Sequence, residues 1–268
     1  MIMAKQSRRN IIVGLILMGV VLTMALLSLF WTPYDPNGMN VDLKNSGPSL
    51  NHIFGCDNFG RDIFSRVMVG AGNTFVVALL TVLMGVFFGT VFGLLAGYFG
   101  GLFDEIVMRF SDALTAFPSI LLALIFVAIF GSGKYTLILA LGILFIPSFA
   151  RIVRSEMVRL KTGNFVKSAR LSGASHLRVI FVHILPNAMG SIFAAMAVGF
   201  NNAVLAEAGM SYLGLGVQPP EASLGRMLSE AQSFLFTNPW FAIFPGIAII
   251  LIVLGFSLLS EGAGEQNA

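Results

Sequence analysis

Six apolar runs constrain this chain more than any motif it carries: residues 11–31, 74–95, 114–130, 135–149, 186–206 and 240–259. A helix needs about 20 residues to cross roughly 30 Å of hydrocarbon. Backbone groups in lipid must be satisfied within a helix or a closed barrel. None of the runs shows the long alternation of a barrel strand, so the expected fold is all-α, a polytopic membrane protein with about six transmembrane helices. The third and fourth runs are short, and the four residues GSGK at 131–134 between them require a helical hairpin. Charged residues are 11% and apolar residues 56% of the 268, against about 25% charged in soluble chains, which leaves no soluble domain of useful size. The first run follows Lys5, Arg8 and Arg9 as the core of a signal peptide would. It is longer than the roughly 7 to 15 residues of such a core and is read as a retained helix.

Lys and Arg set the expected orientation, because they accumulate on the cytoplasmic side. With the N-terminus inside, eleven fall in cytoplasmic segments (Lys5, Arg8, Arg9, Arg109 and the seven between Arg151 and Arg178) and five outside (Lys44, Arg61, Arg66, Lys134, Arg226). The resulting division is a cytoplasmic N-terminus over 1–10, a first transmembrane helix over 11–31 and an external loop over 32–73. A transmembrane core over 74–260 comes next, with a cytoplasmic loop at 151–185, and then a cytoplasmic tail over 261–268. The net charge of +3 is explained by this asymmetry, and no nucleic-acid reader motif accompanies it. The lone Cys56 excludes an internal disulfide.

Gly85, Gly89, Gly93 and Gly97 recur every fourth residue, which stacks them on one helix face and lets another helix approach closely. GSGK is not a phosphate loop: Ala128 stands where the first glycine belongs and Tyr135 where Ser or Thr follows the lysine. No nucleophile or HExxH pattern is present, and His52, His176 and His183 are not spaced as a metal site. Glu207, near the outer end of the fifth run, is either a functional intramembrane acid or a helix-end marker.

The segment SARLSGASHLRVIFVHILPNA at 168–188 interrupts this apolar chain with charge. Leu177, Ile180, Phe181 and Ile184 form a helical stripe, with Arg170, Arg178 and His183 off it. Gly173 permits a sharp change of direction, and Pro186 suits the start of the next helix. The expected object is a short helix, a turn and a second short helix lying along the cytoplasmic membrane surface. It serves either to dock a partner that supplies energy or to anchor topology at anionic lipid head groups.

Ser168, Ala169, Gly173, Ala174, Ser175, Ile184, Leu185 and Pro186 resemble the EAA loop of permease subunits of binding-protein-dependent ABC importers. FGCDNFGRDIFSR at 54–66, with Gly55, Asp57, Gly60, Arg61, Asp62, Ser65 and Arg66, is similar to a signature of the peptide and nickel branch (oligopeptide/dipeptide C-type permeases). SYLGLGVQPP at 211–220, with Leu213, Gly214 and Gly216, is similar to that branch's later signature. The chain departs from the pattern at Lys167, where the loop has glutamate, at Cys56, where threonine is usual, and in its tail.

The resemblance implies a type I ABC importer permease fold, and a multi-pass protein of the inner (cytoplasmic) membrane with both termini cytoplasmic. It also implies a chain that is not itself an enzyme, with ATP and Mg in two ATP-binding partner subunits. A second homologous permease, an extracytoplasmic substrate-binding protein and membrane lipid would complete the assembly. Lys167, Ser168, Ala169, Arg170, Gly173, Ala174, Ser175, Arg178 and Pro186 would be the residues coupling to the ATPase. The substrate would be a di- or oligopeptide, or alternatively nickel or a metal chelate. An ion-coupled secondary transporter would instead need intramembrane acids or broken helices, and a membrane scaffold would lose no transport on replacement of Gly173.

Overall fold

The computed structural model describes the backbone of residues 2–266 and the side chains of 8–261. The side chain of Lys5 and nearly all side chains of the expected tail at 261–268 lie outside that description. Ten α-helices succeed one another among the described residues: α1 (Ile2–Leu27), α2 (Ile63–Phe99), α3 (Gly101–Ala116), α4 (Ser119–Phe130), α5 (Lys134–Lys161), α6 (Asn164–Leu171), α7 (His176–Arg178), α8 (Leu185–Tyr212), α9 (Leu224–Ala231) and α10 (Trp240–Gln266). Among the described residues there is no strand, only a single bridge between Cys56 and Asp62. Five of the described helices are long and apolar enough to cross a membrane, and α3 with α4 supplies a sixth if the bent pair counts as one span.

Most boundaries differ from the apolar runs, and four of them show what decides the difference. The first helix ends at Leu27 and not at Trp31, ahead of Pro33 and Pro36. α2 begins at Ile63 and not at Thr74, because the Asp62 carboxylate caps it by accepting from Ser65 N–H at 2.7 Å. The third run is not one helix. Pro118 holds Phe117 at φ −88°, ψ 140°, the extended state a residue before proline prefers, and α3 meets α4 at 90°. α5 continues to Lys161, so the basic residues from Arg151 onward stand on a helix that projects beyond the apolar zone.

Two close pairings organise the bundle. α1 lies along α10, where a Cβ on Gly14 would sit 2.7 Å from Gly255 O. α2 lies along α5 through its glycine face. A Cβ at Gly85 would come 2.7 Å from Phe145 Cβ, at Gly89 2.6 Å from Phe149 Cβ, at Gly93 2.6 Å from Ala150 O, and at Gly97 2.7 Å from Met157 Cβ. Small residues that bring two backbones this near maximise dispersion contact, the main source of helix association in lipid. α8 closes the core over this pair, burying Phe200, Ala203 and Val204 against Ala78, Val82 and Phe149.

Gly93→Val should therefore force α2 off α5 at a cost of about 1–3 kcal/mol. Gly190→Ala, where a Cβ meets nothing within 4 Å, is the neutral control. Thermal unfolding in detergent should show a lower midpoint for the first and an unchanged one for the second.

Candidate functional site

The basic segment after α5 is a stop with a start directly behind it. α6 ends at Leu171, and Gly173 has φ +81°. Gly173 N–H donates to Arg170 O at 3.0 Å and Ala174 N–H to Ala169 O at 3.0 Å. These two bonds close a Schellman motif in which glycine escapes the left-handed penalty that a β-branched side chain would meet. The next helix then starts from Ser175, whose Oγ accepts from Arg178 N–H at 3.4 Å. This second helix is not the separate short helix expected from the sequence. α7 runs through a π-helical segment, Val179–Ile184, into α8, so the whole of His176–Tyr212 is one continuous span. Pro186 sits in the first turn of α8 directly after the wider π turns, where its missing N–H is tolerated.

This turn is mounted on the C-terminal ends of α2 and α5. Val166, Val179, Ile180 and Ile184 are buried with Leu94, Tyr98, Val153 and Met157. Tyr98 Oη and His176 Nδ1 share a hydrogen bond of 2.6 Å, the Arg170 guanidinium lies over the Tyr98 ring at 5.4 Å, and Lys161 Nζ donates to Gly97 O at 2.7 Å. The outward side of the same segment is open and mixed in character, with Leu171 and Leu177 exposed among its polar residues. Lys167, Ser168, Arg170, Gly173, Ser175, Arg178 and Pro186 are exposed, while Ala169 and Ala174 are half-buried.

The residues of the other two signatures meet at the opposite end of the bundle. Asp57 is fully buried and accepts from Arg61 Nε at 2.6 Å and from the N–H groups of Phe59 and Arg61. Arg61 reaches on to Glu230 Oε2 at 2.9 Å, and Arg226 holds the other oxygen of Glu230 at 3.2 Å. Arg66, almost fully buried, lies 3.8 Å from Asp57 and 3.7 Å from Glu230 and donates to Pro36 O. Asp62, besides capping α2 and accepting from Ser65 Oγ, is 2.9 Å from His52 Nδ1. Gly55 and Gly60 have φ +77° and +75°; they turn the loop tightly around the carboxylates. Gly214, at φ +81°, ends α8 by the device used at Gly173: its N–H donates to Ser211 O and that of Leu215 to Met210 O. Leu213 is the residue capping α8, and Gly216 packs where a Cβ would strike Ser211 and Leu137.

Glu207 lies between these groups and the membrane core, fully buried. It accepts from Thr74 Oγ1 at 2.8 Å and from Ser211 Oγ at 2.7 Å. Lys134 of the GSGK connection donates to Asn73 Oδ1 at 2.6 Å, and Asn73 donates to Ala222 O. Glu230, Thr74, Asn73 and His52 were not recognisable from the sequence as members of this end. The Arg226–Glu230 spacing of four was a visible signal, but the partners of Asp57 lie far along the chain. Among the described residues no group of three His, Cys, Asp or Glu side chains is placed to hold a metal ion.

A cleft of about 590 Å³ opens between α5 and α8. Ser119, Ser148 and Asn202 are its main polar groups, and among the described residues no charged side chain stands in its wall. Helices around a lateral cleft, with an ordered loop at one end of the bundle and a capped turn at the other, are an arrangement suited to a membrane transport subunit.

Known proteins narrow the class. Residues 89–264 match the family described as binding-protein-dependent transport system inner membrane component. The chain is 47% identical over 254 residues to the glutathione transport system permease protein GsiD of Salmonella typhimurium, covering 93% of this chain and 84% of that protein. It is 43% identical over 244 residues to the GsiD protein of Escherichia coli O6:K15:H31, covering 91% and 80%. The inward-facing MetNI methionine ABC transporter has a chain of the same fold, with TM-score 0.58 at 17% identity over 72% of this chain and 94% of that one. The protein belongs to the binding-protein-dependent inner membrane component family and is a permease subunit of an ABC importer, in the peptide and nickel branch.

A β-branched residue at Gly173 should break the Schellman turn at a cost of roughly 1–2 kcal/mol, whereas asparagine, which tolerates the left-handed region, should keep it. Nothing lies within 4 Å of a Cβ there, so crowding does not confound the comparison. Hydrogen exchange at the amides of 173 and 174 should accelerate in Gly173→Val and stay near the parent rate in Gly173→Asn.

Proposed function

We propose that this chain forms one half of the pathway of an ATP-driven importer for peptide-like substrates delivered by an extracytoplasmic binding protein. The observation that carries the reading is the exposed turn from Lys167 to Arg178, held by two caps and seated on α2 and α5. A capped, exposed projection that presents Leu171 and Leu177 beside charged residues suits an element that a second protein grips and moves. Two ATP-binding subunits would hold the ATP and Mg, and this chain would bind neither. A second, homologous permease would face the cleft lined by Ser119, Ser148 and Asn202. Both termini would lie in the cytoplasm, an orientation supported by the bias of Lys and Arg.

Closure of the ATPase pair on nucleotide biases a two-state transporter by its differential affinity for one state. The continuous span from the turn to Tyr212 is suited to transmit that bias. An uncharged cleft wall favours passage over tight capture, which leaves substrate selection to the binding protein. Relatives named for glutathione transport favour a short peptide over nickel, since glutathione is itself a tripeptide.

In proteoliposomes holding the complete complex, peptide-loaded binding protein should raise ATP hydrolysis, and Ni²⁺ with the same binding protein should not. Gly173→Asp should abolish the stimulation while the subunit remains inserted. Full stimulation of that variant would remove the coupling role, and stimulation by Ni²⁺ alone would remove the substrate class.

A further inference from the structure

A second groove, of about 510 Å³, runs between α2 and the α7–α8 span and shares no lining residue with the cleft. Its walls come from Val86, Thr90 and Leu94 on one side and Leu177, Phe181 and Leu185 on the other, and among the described residues Thr90 carries the one hydroxyl that lines it. Phe181 and Leu177 each keep more than half of their surface open, so the groove is accessible from the side. Along α2 it extends from Val86 to Leu95, about 13 Å at 1.5 Å per residue. That matches one leaflet of a hydrocarbon core roughly 30 Å thick.

One turn beyond Leu94 on the same α2 stripe is Tyr98, hydrogen-bonded to His176, which adjoins the groove residue Leu177, and covered by the Arg170 guanidinium. Charge changes abruptly at this point. Arg109, Arg151, Arg154 and Arg159 each hold a carboxylate on the cytoplasmic side. Arg170 and Arg178 make no ion pair among the described residues. An apolar slot one leaflet long, capped by unpaired cations and a hydrogen-bonding imidazole, has the chemistry of a phospholipid: acyl chain below, phosphate above.

We propose that the groove between α2 and α8 holds one anionic phospholipid of the cytoplasmic leaflet, its acyl chain against Thr90 and Phe181 and its phosphate at Arg170 and His176. The lipid would lie directly beneath the turn proposed to receive the ATPase, filling the open side of the turn's mount. The choice of leaflet rests on the orientation proposed above. Retention of lipid in detergent does not, so a reversed orientation and an empty groove give different results.

The test is native mass spectrometry of the detergent-purified complex titrated with dioleoyl phosphatidylglycerol or dioleoyl phosphatidylcholine. One phosphatidylglycerol should be retained per copy of this chain, with a preference over phosphatidylcholine of roughly fivefold for each unpaired cation engaged. Arg170→Gln, an exposed change that leaves the core untouched, should reduce that preference. Val91→Trp should block the groove and remove the bound lipid while the subunit composition stays intact. Equal retention of the two lipids, or an unchanged phosphatidylglycerol adduct in Val91→Trp, would overturn the proposal. So would a photo-crosslinker in place of Phe181 that captures the second permease in preference to lipid.

Discussion

The approach of α2 to α5 through Gly85, Gly89, Gly93 and Gly97 is the contact on which the other features depend. Because these backbones nearly touch, the ends of the two helices form a single platform, and Val166, Val179 and Ile180 of the turn are buried on it. A looser pairing would leave Tyr98 and Met157 apart and the turn without a seat. In lipid there is no hydrophobic drive to pull helices together, so the small side chains that permit contact decide the geometry.

α2 is also tied to the continuous α7–α8 span at both ends. At one end Thr74 donates to the buried Glu207; at the other Tyr98 shares a hydrogen bond with His176. Between Thr74 and Tyr98 lies about 36 Å of helix at 1.5 Å per residue, most of the thickness of a bilayer. The Asp57–Arg61–Glu230 network fixes the loop before α2 to α9, so packed and bonded elements run from one end of the bundle to the other. Buried charges of this kind cost several kcal/mol when a partner is removed, which makes the outer end rigid while leaving its contribution to net stability small.

Much of this was legible in the residues. The apolar runs identified an all-helical membrane chain, the four-residue glycine period marked a packing face, and Gly173 between two polar helical stretches marked the turn. The boundaries were less legible, because hydropathy reports where lipid begins and not where a helix stops. α2 reaches back to a carboxylate cap at Asp62, and α5 runs on past Arg151. Pro118 broke the third run through the conformation it imposes on Phe117, a local effect hidden inside an apolar stretch. The outer network escaped because Glu230 and Asp57 are brought together only by the fold. The π-helical join of α7 to α8 left no mark in the pattern of apolar positions.

The central claim is that the two-cap turn is the surface on which the ATPase acts, and a single cysteine at Ser168 tests it. Burial pushes the Cys56 thiol up from its ordinary value, so the native cysteine stays unreactive toward a short thiol-directed cross-linker. In membranes containing the whole complex, Ser168→Cys should link this chain to an ATP-binding subunit. A cysteine at Glu221, in the loop after α8, should not. Linkage from Glu221→Cys, or a Ser168→Cys chain that links only to lipid or to nothing, would contradict the account.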